Sequence, residues 1–266
     1  QHILKKTKSG LENLPSFLTV IDDFYRKNRI DYKMLTPSSL FYIKNGRLGS
    51  VFSSLYFRAS ILNPYFIYSL NMSVLKGTRV FSPTLGWSSY LHGFFQCPNV
   101  IEYVGTDVIP DVCTKTKAIG KSYEKECDIY CIPSENLLKN KRFISKYRQH
   151  FDLVFFSPPY YRLELYDSEN QSTLNYSSYI SWLTNYWEKT VELCAEVLQD
   201  GGKMCYILSG YGSYNSNTFI DLKADMNKIT KKYFIHIETM GMENKNVHAT
   251  NHRDTREHII IFRKKA

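Results

Sequence analysis

The chain predicts an α/β protein built on a doubly wound, seven-stranded, mainly parallel sheet with one antiparallel strand, carrying a small basic amino-terminal appendage. Three observations predict it. From residue 77 onward, short apolar runs of strand length alternate with helical stretches, the pattern of a parallel sheet with crossover helices. The last connection, from Ile235 to Ile261, is too short for a crossover helix and is rich in Asn, His and Lys, so a hairpin is expected there. The run Phe151-Asp152-Leu153-Val154-Phe155-Phe156 is apolar almost throughout, as a strand buried on both faces must be, and it stops at Ser157-Pro158-Pro159-Tyr160.

Taken in order, the expected strands are 78–82, 100–106, 127–131, 151–156, 202–208, 233–239 and 256–263. Among the helices, 179–199 has the clearest pattern, with Ile180, Leu183, Trp187, Val191 and Leu198 on one face and Asp200-Gly201-Gly202 as its stop. A second helix is expected over 134–148. The division that follows is an appendage over residues 1–50 and one α/β domain over 51–266. In the appendage Lys5, Lys6, Lys8, Arg26, Lys27, Arg29, Lys33, Lys44 and Arg47 lie among scattered aromatics. Such a segment is either a solvated helical cap or a surface for nucleic acid, where cations neutralise phosphates and rings stack on bases.

The stop after residue 156 bears most directly on chemistry. Proline has a fixed φ and no N–H, so two in succession cannot extend a strand ladder and instead hold their carbonyls at a set angle above the sheet. Ser157 and the Pro158 carbonyl are then two acceptors beside the ring of Tyr160. Two acceptors and a stacking face suit a planar group with an exocyclic NH₂, such as an extruded cytosine or adenine. An ordinary strand-to-loop turn is the alternative.

Ser157-Pro158-Pro159-Tyr160 resembles the (Asp/Asn/Ser)-Pro-Pro-(Tyr/Phe) motif of the S-adenosylmethionine-dependent DNA amino methyltransferases, and further segments resemble that family in the same order. Val80-Phe81-Ser82-Pro83-Thr84-Leu85-Gly86-Trp87-Ser88-Ser89 is similar to the cofactor loop, and Tyr103-Val104-Gly105-Thr106-Asp107 to the second strand with its terminal acid. Pro133-Ser134-Glu135 lies where the family contacts the cofactor's adenine. Asp152-Leu153-Val154 and Glu164-Leu165-Tyr166 are similar to phage and large-virus versions of these enzymes.

This resemblance implies a class I methyltransferase (Rossmann-like) fold, S-adenosyl-L-methionine as cofactor, and double-stranded DNA as partner. It implies methylation of a flipped base by direct, in-line transfer, with cytosine N4 favoured because a leading serine is commoner among enzymes of that type. Adenine N6, RNA, and a catalytically weak nucleic-acid-binding relative are the alternatives. By resemblance, Ser157, Pro158, Pro159 and Tyr160 form the catalytic turn, and Asn63 and Phe66 lie near the methionine end of the cofactor. Ser82, Pro83, Thr84, Gly86 and Trp87 wrap the methionine, Asp107 with Val108 meets the ribose, and Ser134 and Glu135 meet the adenine, with Ser157 closing the site. Gly86 is expected where a side chain would strike the ligand. Asp107 has a competing role as a cap for the helix after Ile109-Pro110, and Ser134 one as a helix start. Two positions depart from the pattern: the usual acid is Ser82, and the glycine after the tryptophan is Ser88.

Composition narrows the function classes. The chain has 266 residues, 43% of them hydrophobic, enough for one large core, and a net charge of +9 that favours a polyanionic partner. Aromatics make up 15%, including 21 tyrosines, a surplus available for stacking on bases. No apolar run is long enough to span a bilayer and no secretory segment opens the chain, so an intracellular, cytoplasmic location is the default expectation. The six cysteines (97, 113, 127, 131, 194 and 205) have neither a Cys-x-x-Cys spacing nor companion histidines, which points to reduced thiols and no metal. Gln96-Cys97-Pro98 reverses the Pro-Cys order of cytosine-C5 methyltransferases. His248, His252 and Arg253 sit in a polar stretch, as solvated loop residues or DNA contacts.

Overall fold

Seven strands, β1 (Arg79–Ser82), β2 (Glu102–Thr106), β3 (Glu126–Tyr130), β4 (Phe151–Phe156), β5 (Leu198–Ser209), β6 (Phe234–Gly241) and β7 (Glu257–Lys264), form one sheet in the order β3-β2-β1-β4-β5-β7-β6. The computed structural model describes residues 37–45, 61–161, 170–209, 220–242 and 257–265. The pairs from β3 through β5 are parallel, whereas β7 runs antiparallel to both β5 and β6, so the expected single reversed strand is present. The strands lie within two residues of their expected bounds, except β5, which starts four residues early. Strand order reverses between β1 and β4, which opens a crevice at their carboxyl ends.

Burial explains why the strands were legible. Phe151, Leu153, Val154, Phe155 and Phe156 of β4 are all fully buried. Successive side chains point to opposite faces, and Phe155 meets Tyr90 and Phe94 of the helix Ser89–Phe95, while Phe156 meets Trp187 and Tyr206. Much of the aromatic surplus is therefore core: Tyr103, Tyr147, Tyr206, Trp182 and Trp187 are among the largest fully buried side chains.

Two helices differ from expectation. The stretch from 179 is a helix in three pieces, Tyr179–Trp182, a π-helical turn Leu183–Glu188 and Lys189–Val197, and it ends before the glycines. Asp200-Gly201-Gly202 instead lies inside β5, where the four residues between Leu198 and Lys203 lie against the single Asp152 between Phe151 and Leu153, and Gly201 takes φ +75° in that bulge. The π-helical turn rotates the helix, and Ile180 is 76% exposed rather than on the buried face. The segment expected as one helix over 134–148 is a 3₁₀ turn, Ser134–Lys139, followed by a helix, Lys141–Tyr147. Asn140 breaks it with an extended backbone, and its side chain caps the second piece through the Phe143 N–H.

At the amino ends of the strands the chain is stitched by polar side chains. The Asp152 carboxylate accepts the Thr78 N–H at 2.9 and 3.1 Å, the Arg79 N–H at 3.1 Å, and the Thr78 hydroxyl. Fully buried Asn71 takes the Gly77 N–H at 2.9 Å and donates to the Gly77 carbonyl at 3.2 Å.

The described residues from Ile61 onward form one compact unit; the helix Pro37–Lys44 belongs to another, with Leu40 and Phe41 exposed. The rest of the basic appendage, Glu164-Leu165-Tyr166, and His248, His252 and Arg253 lie outside the described residues. Among the described residues no helix is long and apolar enough to cross a membrane, and no group of His, Cys, Asp or Glu has the arrangement to hold a metal.

Candidate active site

The crevice is built from two loops at the carboxyl ends of β1 and β4. The first leaves β1 through Pro83 and Thr84 and turns through three successive left-handed residues, Gly86 (φ +51°), Trp87 (φ +57°) and Ser88 (φ +69°). A non-glycine residue in that region costs roughly 1–2 kcal/mol, so this loop stores strain at Trp87 and Ser88. Gly86 is required by the protein itself as well: a Cβ there would lie 2.2 Å from Cζ of Tyr90 in the following helix.

Ser88 shows how the departure from glycine is tolerated. Its buried hydroxyl lies 2.6 Å from the Thr116 hydroxyl, whose own proton goes to the Val112 carbonyl at 2.7 Å, so Ser88 donates and Thr116 accepts. A net hydrogen bond of about 1 kcal/mol is comparable with the conformational penalty of the left-handed serine. Ser82 is fully buried and gives its proton to the Phe155 carbonyl at 2.7 Å, tying β1 to β4 from within the sheet.

Asp107 follows β2. One carboxylate oxygen accepts the Leu85 N–H at 3.0 Å, and the other accepts the Val108 N–H at 2.8 Å and the Ile109 N–H at 3.1 Å. Ile109 is the N-cap residue of the helix Pro110–Gly120, so Asp107 serves the helix entry and also braces the cofactor-like loop. Desolvation raises its pKa from 3.8, outweighing the three N–H donors, which lower it. Ser134 shares a hydrogen bond with Thr190 at 3.0 Å, and the buried Glu135 is raised above its ordinary 4.5 by desolvation, its carboxylate 3.5 Å from the Tyr176 hydroxyl. The Tyr186 hydroxyl, missed in the sequence, is buried without a hydrogen-bond partner. Glu135 and Asp107 are among its electrostatic neighbours.

The second loop is the turn after β4. The half-buried Ser157 donates its hydroxyl proton to the Ile207 carbonyl at 3.2 Å, so the oxygen lone pairs remain for a donor arriving from the crevice. Its carbonyl accepts the Thr84 hydroxyl at 3.2 Å, which joins the two loops. Pro158 is buried and Pro159 half-buried. Tyr160 differs from the open stacking face expected of it: the ring is 7% exposed, packed into the core beside Tyr161. Asn63 and Phe66 lie at and after the start of the helix Pro64–Leu70. Exposed Asn63 caps it through the Tyr65 N–H at 2.9 Å, and Phe66 is half-buried against the core.

Residues 151–266 match the family model described as DNA methylase, of the N6 and N4 type. Comparison with curated protein sequences found no match. Among solved structures the chain is similar to the N-methyltransferase NodS from Bradyrhizobium japonicum WM9, at TM-score 0.51 and 12% identity over 77% of this chain and 89% of that one. It is also similar to a protein described as a predicted O-methyltransferase, from Agrobacterium tumefaciens, at TM-score 0.51 and 10% identity over 77% and 82%. At such identity the likeness establishes the fold, a class I, Rossmann-like methyltransferase fold. The family match runs from the strand that carries the Ser157 turn to residue 266 and supports an amino-type DNA methyltransferase, of the N6 and N4 kind.

Proposed function

We propose that the protein transfers a methyl group from S-adenosyl-L-methionine to the exocyclic amino nitrogen of a base flipped out of double-stranded DNA, with cytosine N4 as the acceptor. The observation that carries this reading is the orientation of Ser157. Its proton is held by the Ile207 carbonyl, which leaves an acceptor at the carboxyl end of β4, inside the segment matched to the DNA methylases. The crevice fits the cofactor: Asp107 and Glu135 present carboxylates there, and the Tyr186 hydroxyl is buried without a partner near both. When bound, S-adenosylmethionine supplies an electrophilic methyl group.

The chain's own task is to present the nucleophile. The amino lone pair of cytosine or adenine is delocalised into the ring. Hydrogen bonds from the NH₂ group to Ser157 Oγ and the Pro158 carbonyl favour a pyramidal nitrogen and so stabilise the transition state more than the ground state. Pro158 and Pro159 fix the turn, and Tyr160 stacks on the base once a face is uncovered. Asp107 with Val108, Ser134 with Glu135, and the loop of Ser82, Pro83, Thr84, Gly86 and Trp87 hold the cofactor, with Asn63 and Phe66 flanking it. Holding both reactants in line removes much of the entropic barrier. The basic segment 1–50 supplies phosphate contacts that make binding steeply salt-dependent.

Mass spectrometry of nucleosides from double-stranded DNA incubated with the protein and isotopically labelled cofactor tests this. Labelled N4-methylcytosine, lost in Ser157→Ala, is the expected result. Labelled N6-methyladenine would reassign the base, label in RNA alone would reassign the polymer, and no label with intact DNA binding would make the protein a non-catalytic relative.

A further inference from the structure

We propose that Tyr90 is a positioning residue that locks the cofactor loop to the base-receiving turn, so that the two half-sites move as one. The inference rests on the methyl-transfer reading for its catalytic consequence, but its geometry stands by itself. The Ser157 N–H donates to the Tyr90 hydroxyl at 3.1 Å, and the Thr84 hydroxyl donates to the Ser157 carbonyl at 3.2 Å. The Thr84 and Tyr90 side chains thus hold Ser157 from both sides, Tyr90 at its N–H and Thr84 at its carbonyl. Both lie in the segment that follows β1, so two side chains of that segment grip one residue of the turn.

The rest of Tyr90 fixes where its hydroxyl sits. It is 3% exposed, meets Phe155 edge-on at 5.2 Å, and lies so close under Gly86 that a Cβ there would clash at 2.2–2.7 Å. One side chain therefore touches the left-handed loop through its ring atoms and the Pro-Pro turn through its oxygen. A shift of the loop on cofactor binding must pass to the Ser157 backbone, and hence to the acceptor aimed at the amino nitrogen.

Tyr90→Phe keeps the aromatic ring and removes the oxygen; Thr84→Val removes the other hydrogen bond to Ser157. With full-length protein, S-adenosylhomocysteine as the ligand for binding, S-adenosylmethionine as methyl donor and duplex DNA as substrate, Tyr90→Phe is expected to lower kcat by about tenfold or more with DNA KM unchanged, the signature of misplacement at the reacting centre. The losses in the double variant should be less than additive, because both bonds hold the same residue. Amide hydrogen exchange at Ser157 should quicken in both variants while the melting transition stays cooperative. Wild-type kcat in Tyr90→Phe, or additive losses in the double variant, would overturn the proposal. If the wild-type protein neither binds the ligand nor methylates, the methyl-transfer reading has failed. The mechanical link is then judged by exchange at Ser157, where quickening supports it and an unchanged rate overturns it.

Discussion

The two ends of the central strands carry their strain differently. At the amino ends, Asp152 gathers Thr78 and Arg79, Asn71 brackets Gly77, and the left-handed non-glycine residues, Lys76 and Gln149, occur singly. At the carboxyl ends three consecutive residues are left-handed, two carboxyl groups are desolvated, and the Tyr186 hydroxyl has no partner. Strain persists only where the surroundings over-determine it or where a ligand relieves it, and the three successive strained residues fall at the end where open α/β sheets place their ligands.

The sharpest way to break this contrast is Gly86→Ala. Its Cβ would meet the Tyr90 ring while φ stays at +51°, so a loss of roughly 3 kcal/mol is expected from clash and strain together, with S-adenosylhomocysteine binding abolished. Gly201→Ala is the control: φ is +75° but nothing lies within 4 Å of the new methyl, so only about 1 kcal/mol should be lost and binding should survive. Equal effects in urea denaturation would mean that Tyr90 yields to the loop.

Next in size is Asp152→Ala, which leaves the Thr78 and Arg79 N–H groups without their acceptor. A stability loss of about 2–3 kcal/mol is expected, with ligand affinity unchanged by calorimetry. Reduced affinity in a variant that still folds would show that the two ends communicate.

Asp107 should give the reverse. Asp107→Asn removes charge-assisted acceptance and is expected to weaken S-adenosylhomocysteine binding by about 1.5–2 kcal/mol. The pH dependence has a definite sign. Desolvation raises the folded pKa above 3.8, so the ionised group opposes folding at neutral pH, and that penalty fades as pH falls through the raised value and is gone below 3.8. Ligand affinity runs the other way, falling in wild type as pH drops through the raised value and staying level across that window in Asp107→Asn. Parallel curves for the two proteins would remove Asp107 from the binding site.

The smallest effect separates strain from hydrogen bonding at Ser88. Ser88→Ala keeps the left-handed backbone and loses the bond to Thr116, a loss of about 1 kcal/mol, whereas Ser88→Gly relieves the backbone as well and should lie within about 0.5 kcal/mol of wild type. Identical melting temperatures for the two variants would show that the backbone at this position is not strained.

The sheet was legible because buried parallel strands must be continuous apolar runs, and the reversed strand because a connection rich in Asn and His has no room for a crossover helix. The ends of helices were less so. Asp200-Gly201-Gly202 has the composition of a helix stop, but the same glycines suit a bulge, and only the pairing of Leu198 with Phe151 decides between them. Asn140 is equally able to sit within a helix or to cap one. Within the site, Ser157 and the two prolines announced themselves locally. Tyr90 did not, because its importance comes from Gly86 on one side and Ser157, 67 positions away, on the other. The burial of Tyr160 was not legible, because residues past the end of a strand follow no periodicity that reports it.

The pairing of Ser88 with Thr116 also constrains the order in which substitutions can be accepted. With glycine at 88, residue 116 is free to be any side chain that fits. With serine at 88, Thr116→Val would strand a buried hydroxyl in a strained turn. A lineage moving from glycine to serine must therefore acquire the threonine first or together with it, and having done so it finds the way back at 116 closed until 88 reverts. Two positions 28 residues apart thus form a ratchet.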